Sequence, residues 1–346
     1  MSAVREIHEG PLRVAVMSFA HTHARSYLAL LAGMDDVEVR ASDPGPHPDG
    51  ELRGRAMADA LGVAYADTYD ELLAWRPDAV IVASENVRHR ELVELAASAG
   101  ADILCEKPLA TTLEDGLAME RAVADAGVRL MVAFPVRFAS AFQELRAAHA
   151  RGALGQLVAL RGANNGKLPM ERAWFGDPAL SGGGALVDHV VHVADLLDAL
   201  TGAEAVSVTA VSNRILHAHR AQAETGGLVT ITYDSGLVAA IDCSFTQADT
   251  APTWGGVKVT ATGTAGSVGI DFFGPRVRGL DAGTGRPIEL PYGPDFDAAL
   301  LDAFLAGVRG GEQPQPDLQV GLRTLRIVLA AQESARTGRT IEVAAL

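Results

Sequence analysis

Short apolar runs of strand length, Leu12–Val16, Val37–Ala41, Asp78–Ala83, Ala101–Cys105 and Arg129–Ala133, punctuate the first part of the chain. Between them lie stretches whose apolar residues recur every three or four positions: Ala24–Leu31, Glu51–Leu61, Thr68–Ala74, Arg90–Ala99 and Leu113–Ala126. The first pattern predicts buried strands and the second amphipathic helices, with a minor strand at Ala64–Tyr65. Regular alternation of strand and helix predicts a parallel, doubly wound sheet. Past Ala133 the pattern changes. A helical stretch, Ala141–Arg151, leads to runs rich in β-branched residues that partly alternate: Leu157–Ala163, Ala205–Val211, Leu228–Tyr233, Leu237–Phe245, Val257–Thr262 and Ser267–Phe272. Turns such as Asp234-Ser235-Gly236 join them, so one large, mostly antiparallel open sheet is expected. Further helices are expected at Ser181–Leu200, Pro294–Arg309 and Asp317–Thr337, with Asp281–Pro294 the widest linker-like stretch. The fold class is α/β: a dinucleotide-binding domain over residues 1–133 and a substrate-binding α+β domain over 134–346.

Composition narrows the function. The 346 residues are 48% hydrophobic but only 5% aromatic, so the cores must be built from Ala, Val and Leu. A formal net charge of −14 argues against a nucleic-acid partner and against a highly phosphorylated substrate. Cys105 and Cys243 lie in apolar runs and are expected to be reduced core residues, not a disulfide or metal framework. The opening MSAVREIHEG has no apolar signal core and no run is long enough to span a membrane, so a cytoplasmic protein without membrane contact is expected.

Candidate chemistry concentrates in two segments. In Ser181–Asp195, SGGGALVDHVVHVAD, Asp188 and His192 are four apart, which places them on one face of a helix. An imidazole that takes a proton near neutral pH, with a carboxylate to orient it, suits hydroxyl chemistry. In Leu104–Ala110, LCEKPLA, an apolar run ends in Glu106, Lys107 and Pro108, as a strand that delivers a lysine into a cleft. Lys107–Pro108 is also a candidate cis peptide bond. The first strand, turn, helix and strand are the opening of a Rossmann fold. Its glycine fingerprint is replaced by Ser18, Ala20 and His23. Ser18 and Ala20 are small enough for backbone N–H groups to reach a pyrophosphate, while His23 must turn away from the helix–strand contact. Asp43, about 20 residues on, is placed to hold the adenosine ribose and to favour NAD over NADP. His21 and His23 have a weak metal spacing and suit the phosphate side better, so no metal is expected. In Ala163–Phe175, Asn164, Asn165 and Lys167 suit hydroxyls and Trp174 suits stacking on a sugar ring or on nicotinamide.

Together ILCEKPLATTLEDGLAM and SGGGALVDHVVHVADLL resemble the two signature segments of the Gfo/Idh/MocA family of nicotinamide-dependent sugar and polyol oxidoreductases. The resemblance runs over nearly the whole chain. It implies that Lys107, Asp188 and His192 surround the reacting carbon; Asn164, Lys167 and Trp174 are expected at the substrate from their own side chains. Cofactor contacts then fall on Ser18, Phe19, Ala20, His21, Asp43, Ser84, Glu85, Asn86, His89, Glu106 and Lys107. Where the family carries threonine and proline along the dinucleotide, this chain has Ser84 and Glu85, while His89 matches. The implied activity is oxidation of a secondary hydroxyl of a sugar, glycoside or inositol-like polyol with NAD, by a homodimer or homotetramer. A redox-assisted glycosidase that retains its NAD, and a non-catalytic NAD-binding sensor, are the alternatives.

Overall fold

The computed structural model describes residues 10–169, 171–251 and 254–346. The N-terminal stretch inspected for a signal core falls mostly outside them. Strands β1 (Leu12–Met17), β2 (Val37–Ser42), β3 (Ala64–Tyr65), β4 (Ala79–Val82), β5 (Asp102–Cys105) and β6 (Leu130–Val132) form a parallel sheet in the order β3-β2-β1-β4-β5-β6. Helices α1 (His23–Ala32), α2 (Gly54–Leu61), α3 (Tyr69–Ala74), α4 (His89–Ser98) and α5 (Leu113–Ala126) connect them. Strands β1, β4, β5 and β6 are largely buried on both faces because helices cover both, the reason apolar runs marked them in the sequence, whereas β2 and β3 near the sheet edge are partly exposed. Capping sets helix starts: Thr68 and Thr112 accept N–H bonds from Glu71 and Asp115.

Helix α6 (Ser140–Ala150) leads to β7 (Leu157–Gly166), then to α7 (Pro178–Ser181), α8 (Ala185–Asp188) and α9 (Val190–Thr201). Strands β8 (Ala205–Asn213), β9 (Gly226–Tyr233), β10 (Val238–Ser244), β11 (Gly255–Gly263) and β12 (Gly266–Asp271) follow, then β13 (Arg276–Leu280) and β14 (Pro287–Pro291). Helices α10 (Phe296–Gly310) and α11 (Leu318–Thr337) and strand β15 (Ile341–Glu342) close the chain. The second sheet has the order β12-β11-β7-β10-β9-β8-β15. Only the β7–β10 pair in it is parallel among the described residues. Its inner face carries the alternate buried residues of β9, Val229, Ile231 and Tyr233, and packs on α9 and α11. Gly162 on β7 lets α9 sit close, since a Cβ there would lie 2.2 Å from Val193 Cγ1. Helix α10 returns to the first sheet, where Leu300, Leu301, Phe304 and Val308 join the core of β1 and α1.

Two expectations are corrected. The stretch 281–294 is not a linker: β13 and β14 pair as an exposed antiparallel hairpin. The helix expected over Ser181–Leu200 begins only at Ala185, after α7 ends at Ser181, and is broken at His189 into α8 and α9. Gly182 and Gly183 adopt positive φ of 79° and 157°, which ends α7. Gly184 begins α8 against the Glu224 carbonyl, and the Asn164 side chain captures the His189 carbonyl at the α8–α9 joint. Among the described residues, no helix is long and apolar enough to cross a membrane.

Candidate active site

The carboxyl ends of the parallel strands carry two cavities. The larger, about 620 Å³, is lined by His21, His23, Lys107, Asn164, Asp188 and His192 together with an arc of aromatic side chains. The second, about 530 Å³, lies between Pro44–Pro48, Arg53, Glu85, Arg88 and Trp174.

Lys107 leaves the end of β5 on a cis Lys107–Pro108 bond, as the sequence predicted, and its ammonium pairs with the Asp188 carboxylate inside the larger cavity. The chain has three lysines, Lys107, Lys167 and Lys258, among 29 basic residues, so this position carries the compact ammonium that arginine does not supply. Both members of the pair are buried. Burial pushes the Asp188 carboxyl up, but Lys107 and His189 hold it well below the usual range. Asp188 was expected to orient His192. Its oxygens instead face Lys107 and His189 Nε2, the latter at 3.5 Å, because α8 and α9 do not continue as one helix. His192 Nδ1 has no hydrogen-bond partner among the described residues. Burial, with Lys107 nearby, pushes the imidazole well below its ordinary value and leaves it neutral at physiological pH.

Glu106 lies beneath this group. Its Oε1 accepts from Tyr27 OH at 2.7 Å and faces His23 Nδ1 at 3.0 Å, and its Oε2 accepts the Lys107 N–H at 3.1 Å. His21, His23 and Glu106 bring donor atoms within 4.8 Å of one another. Both Glu106 oxygens are engaged by the chain itself.

At the first turn Ser18 occupies the left-handed region at φ 69°, where the fingerprint has glycine, and its Oγ accepts the Ala20 N–H. Phe19 and Ala20 are fully buried. Asp43 stands at the end of β2, but its carboxylate is taken by Arg53 (3.0 and 2.8 Å) and by the Gly54 N–H. The expected pair of bonds to a ribose therefore needs oxygens already occupied. Burial pushes Asp43 up, and Arg53 more than offsets it. Ser84 bonds the Glu85 carbonyl, and Glu85 faces Arg53 at 3.4 Å. The Asn86 amide donates to Ser181 O, and His89 points inward to Pro108 O. Of the expected substrate residues, Asn164 lines the larger cavity. Lys167 does not: it lies beyond the end of β7, and its ammonium donates to Ala251 O. Asn165, one place along the pleat, faces the other side and bonds Ser244. Trp174 is not free to stack on a sugar. Its indole N–H donates to Ala20 O beside the Arg172 guanidinium, and its ring stacks on Phe175 at 3.9 Å.

The residues fit a dinucleotide. Ser42 Oγ, Tyr69 OH, Glu85 Oε2, Asn86 Oδ1, His21 Nε2 and His89 Nε2 are buried polar atoms without a partner among the described residues; His21 lines the larger cavity and Glu85 the second, while the others sit at the end of β2, just past β4 and at the starts of α3 and α4. Trp174 and Arg172 separate those cavities by lying on the turn. His23, for which the sequence left the phosphates or the substrate cleft open, lines the larger cavity, whereas sequence reasoning missed Arg53, Arg172 and the aromatic arc. The Phe272–Phe273 doublet in an aromatic-poor chain was the available signal.

A parallel doubly wound sheet with a polar crevice at its carboxyl edge, joined to an open mixed sheet, defines a dinucleotide-dependent oxidoreductase architecture. Residues 47–134 match the family described as oxidoreductase family, NAD-binding Rossmann fold, and residues 142–269 match the GFO/IDH/MocA C-terminal domain. The chain belongs to the Gfo/Idh/MocA family of oxidoreductases, and its cofactor is NAD. It is 32% identical to the 1,5-anhydro-D-fructose reductase of Ensifer adhaerens, over 84% of this chain and 88% of that one. With the scyllo-inositol 2-dehydrogenase (NAD(+)) of Bacillus subtilis (strain 168) it shares 27% identity over 97% of each. The crystal structure of GenD2 from gentamicin A biosynthesis in complex with NAD superposes with a TM-score of 0.84 at 24% identity, covering 98% of both chains.

Proposed function

We propose that this protein oxidises a secondary hydroxyl of a sugar, glycoside or inositol-like polyol. The convergence of Lys107, Asp188, His192 and Asn164 on one buried cavity at the carboxyl edge of the NAD-binding sheet carries this reading. When bound, NAD supplies the hydride acceptor. His192, kept neutral by burial, takes the hydroxyl proton. The Lys107 ammonium stabilises the alkoxide charge as it grows, and Asp188 holds that ammonium in place and offsets its charge. Asn164 Oδ1, buried and unpartnered among the described residues, accepts from a second hydroxyl and fixes the ring. Arg53 and Glu85 would hold the adenosine end of NAD, and the backbone N–H groups of the Ser18–His21 turn at the start of α1 would hold its pyrophosphate once Arg172 and Trp174, which bond the Ala20 carbonyl there, move aside.

Incubation with NAD and a panel of sugars, glycosides and inositols tests this. Net NADH from at least one compound is expected, with His192→Asn slower by roughly 10²- to 10⁴-fold. Cleavage of a glycosidic bond without net NADH would transfer the same residues to a hydrolase that keeps its cofactor. NAD binding without either reaction would leave a sensor.

A further inference from the structure

The aromatic arc is the least expected part of the cavity. The chain has three Trp, five Tyr and ten Phe, and six of these line this one space. Ring contacts run from His189, beside Asp188, to Trp254 at 5.4 Å, from Trp254 to Phe273 at 6.5 Å, and from Phe273 to Phe296 at 5.6 Å. Tyr292 is 63% exposed and Trp254 39% exposed at the mouth, although both are large and apolar in body. A chain so poor in aromatics does not place this many around a site that needs only to hold hydroxyls.

Two of the carboxylates on the arc are committed elsewhere. Asp271 pairs with Lys258 at 3.1 Å and accepts the Phe273 N–H, and Asp295 caps α10 through the N–H groups of Asp297 and Ala298. A second sugar ring packed here would bury hydroxyls with few partners, at a cost of about 1–3 kcal/mol for each one left unpaired. Asp271, Asp295 and Asp297 also repel a phosphate or carboxylate. The cavity, about 620 Å³ and shared with the nicotinamide, lies within the size range of small-molecule sites.

We propose that this arc is an aglycone subsite: the substrate is a glycoside whose sugar lies against Lys107, Asp188, His192 and Asn164, and whose uncharged aromatic aglycone packs among Trp254, Phe272, Phe273, Tyr292 and Phe296. The proposal rests on the sugar-oxidising reading above. It excludes nucleotide sugars, sugar phosphates and free disaccharides as the preferred substrate.

The test compares the intact protein with NAD on methyl and phenyl glycosides of glucose, galactose and xylose, both anomers of each. Maltose, cellobiose and glucose 1-phosphate serve as further probes. For the sugar that is oxidised, the phenyl glycoside should exceed the methyl glycoside in kcat/KM by about tenfold or more, chiefly through a lower KM. Tyr292→Ala, at an exposed position, should bring that ratio toward one. Equal rates for methyl and phenyl glycosides, or preference for a disaccharide or the phosphate, would overturn the subsite and leave the sugar-oxidising function standing. If no glycoside is oxidised, the sugar-oxidising function is decided separately, by NADH formation on the free sugars and inositols of the wider panel. Calorimetry on the NAD-loaded protein then decides the subsite: phenyl glucoside must bind at least about tenfold more tightly than methyl glucoside, and equal affinities overturn it.

Discussion

At the scale of the residue, the buried pair Lys107–Asp188 combines a structural and a proposed chemical duty, and the two separate by mutation. Lys107→Met strands the Asp188 carboxylate in a buried site, which costs about 3–5 kcal/mol when one partner of such a pair is removed. Pairing it with Asp188→Leu removes both charges and should recover most of that stability in urea unfolding, while NADH formation stays lost in single and double variants alike. Recovery of activity in the double variant would show that the ammonium serves only the fold. The two histidines around Glu106 give a second prediction. Burial alone would lower His23, but Glu106, with Asp297 behind it, raises the imidazole to about 9. Its folded pKa lies above the unfolded value of about 6.5, so its contribution is complete below 6.5 and is lost as pH rises toward 9. Burial lowers His21 to about 3, against the pull of Glu106. The unfolded chain takes up that proton below about 6.5 and the folded chain does not, so stability also falls as pH drops from 6.5 toward 3. Unfolding midpoints measured across this range should peak near 6.5, and His23→Gln should flatten the alkaline slope. Lys107 was legible as a strand-end residue, and Asp188 and His192 through the resemblance of their segment to the family's, although the Lys107–Asp188 pair closes across 81 positions and the helix spacing of Asp188 and His192 is interrupted at His189. The Arg53–Asp43 pair was not, because it closes across a proline-rich turn. Nor was His23 on Glu106, which joins residues 83 positions apart.

At the scale of the element, periodicity served where one face of a strand or helix is buried and failed where special backbone decides. The alternation in β8, β9 and β10 and the four-residue spacing of α4, α5 and α11 reflect direct burial against a neighbouring layer, so the sequence carried them. The hairpin β13–β14 carries no such signal because both its faces are largely exposed. The breaks around α8 were hidden because continuous apolar spacing from Leu186 to Leu200 is equally compatible with one helix or two. What fixes the break is a contact that spacing does not encode: the Glu224 carboxylate accepts the Gly184 and Leu186 N–H groups, at 2.9 and 3.1 Å, across the start of α8. A Cβ at Gly184 would lie 1.8 Å from the Glu224 carbonyl oxygen, a backbone atom that no side-chain rotation can clear. Gly184→Ala should therefore destabilise the protein by about 1–3 kcal/mol or more and shift Asp188 away from Lys107. Thermal unfolding with the KM of the reactive sugar measures both. Gly202→Ala, at a left-handed helix end with open space around it, is the control: it should cost only backbone strain of about 1–2 kcal/mol and leave the KM unchanged.

At the scale of the whole molecule, the second sheet has one face packed on α9 and α11 and the other uncovered among the described residues. Val211 and Leu228 are cross-strand partners on that bare face, 63% and 58% exposed, and Val158, Val206 and Val238 are exposed on the same sheet. Threonines and the charged Asp242 and Arg161 surround them, the arrangement of an interface with an apolar centre and a polar rim. Scattered exposed apolar residues are ordinary, but a directly opposed pair on an uncovered sheet face is a surface that pairs well with a copy of itself. A sheet face of seven strands also offers the roughly 1,000 Å² or more of total buried area that a specific interface needs. We therefore predict a dimer or a larger even-numbered assembly at micromolar concentration, held face to face through β8, β9 and β10. Val211→Lys with Leu228→Lys places four like charges at the centre of a two-fold interface and should give a monomer in light scattering. Because both side chains point away from the strand-end cavities, NAD binding should survive the dissociation. A wild-type mass equal to one chain, or a double variant with unchanged mass, would show that this face stays bare or that the subunits meet elsewhere.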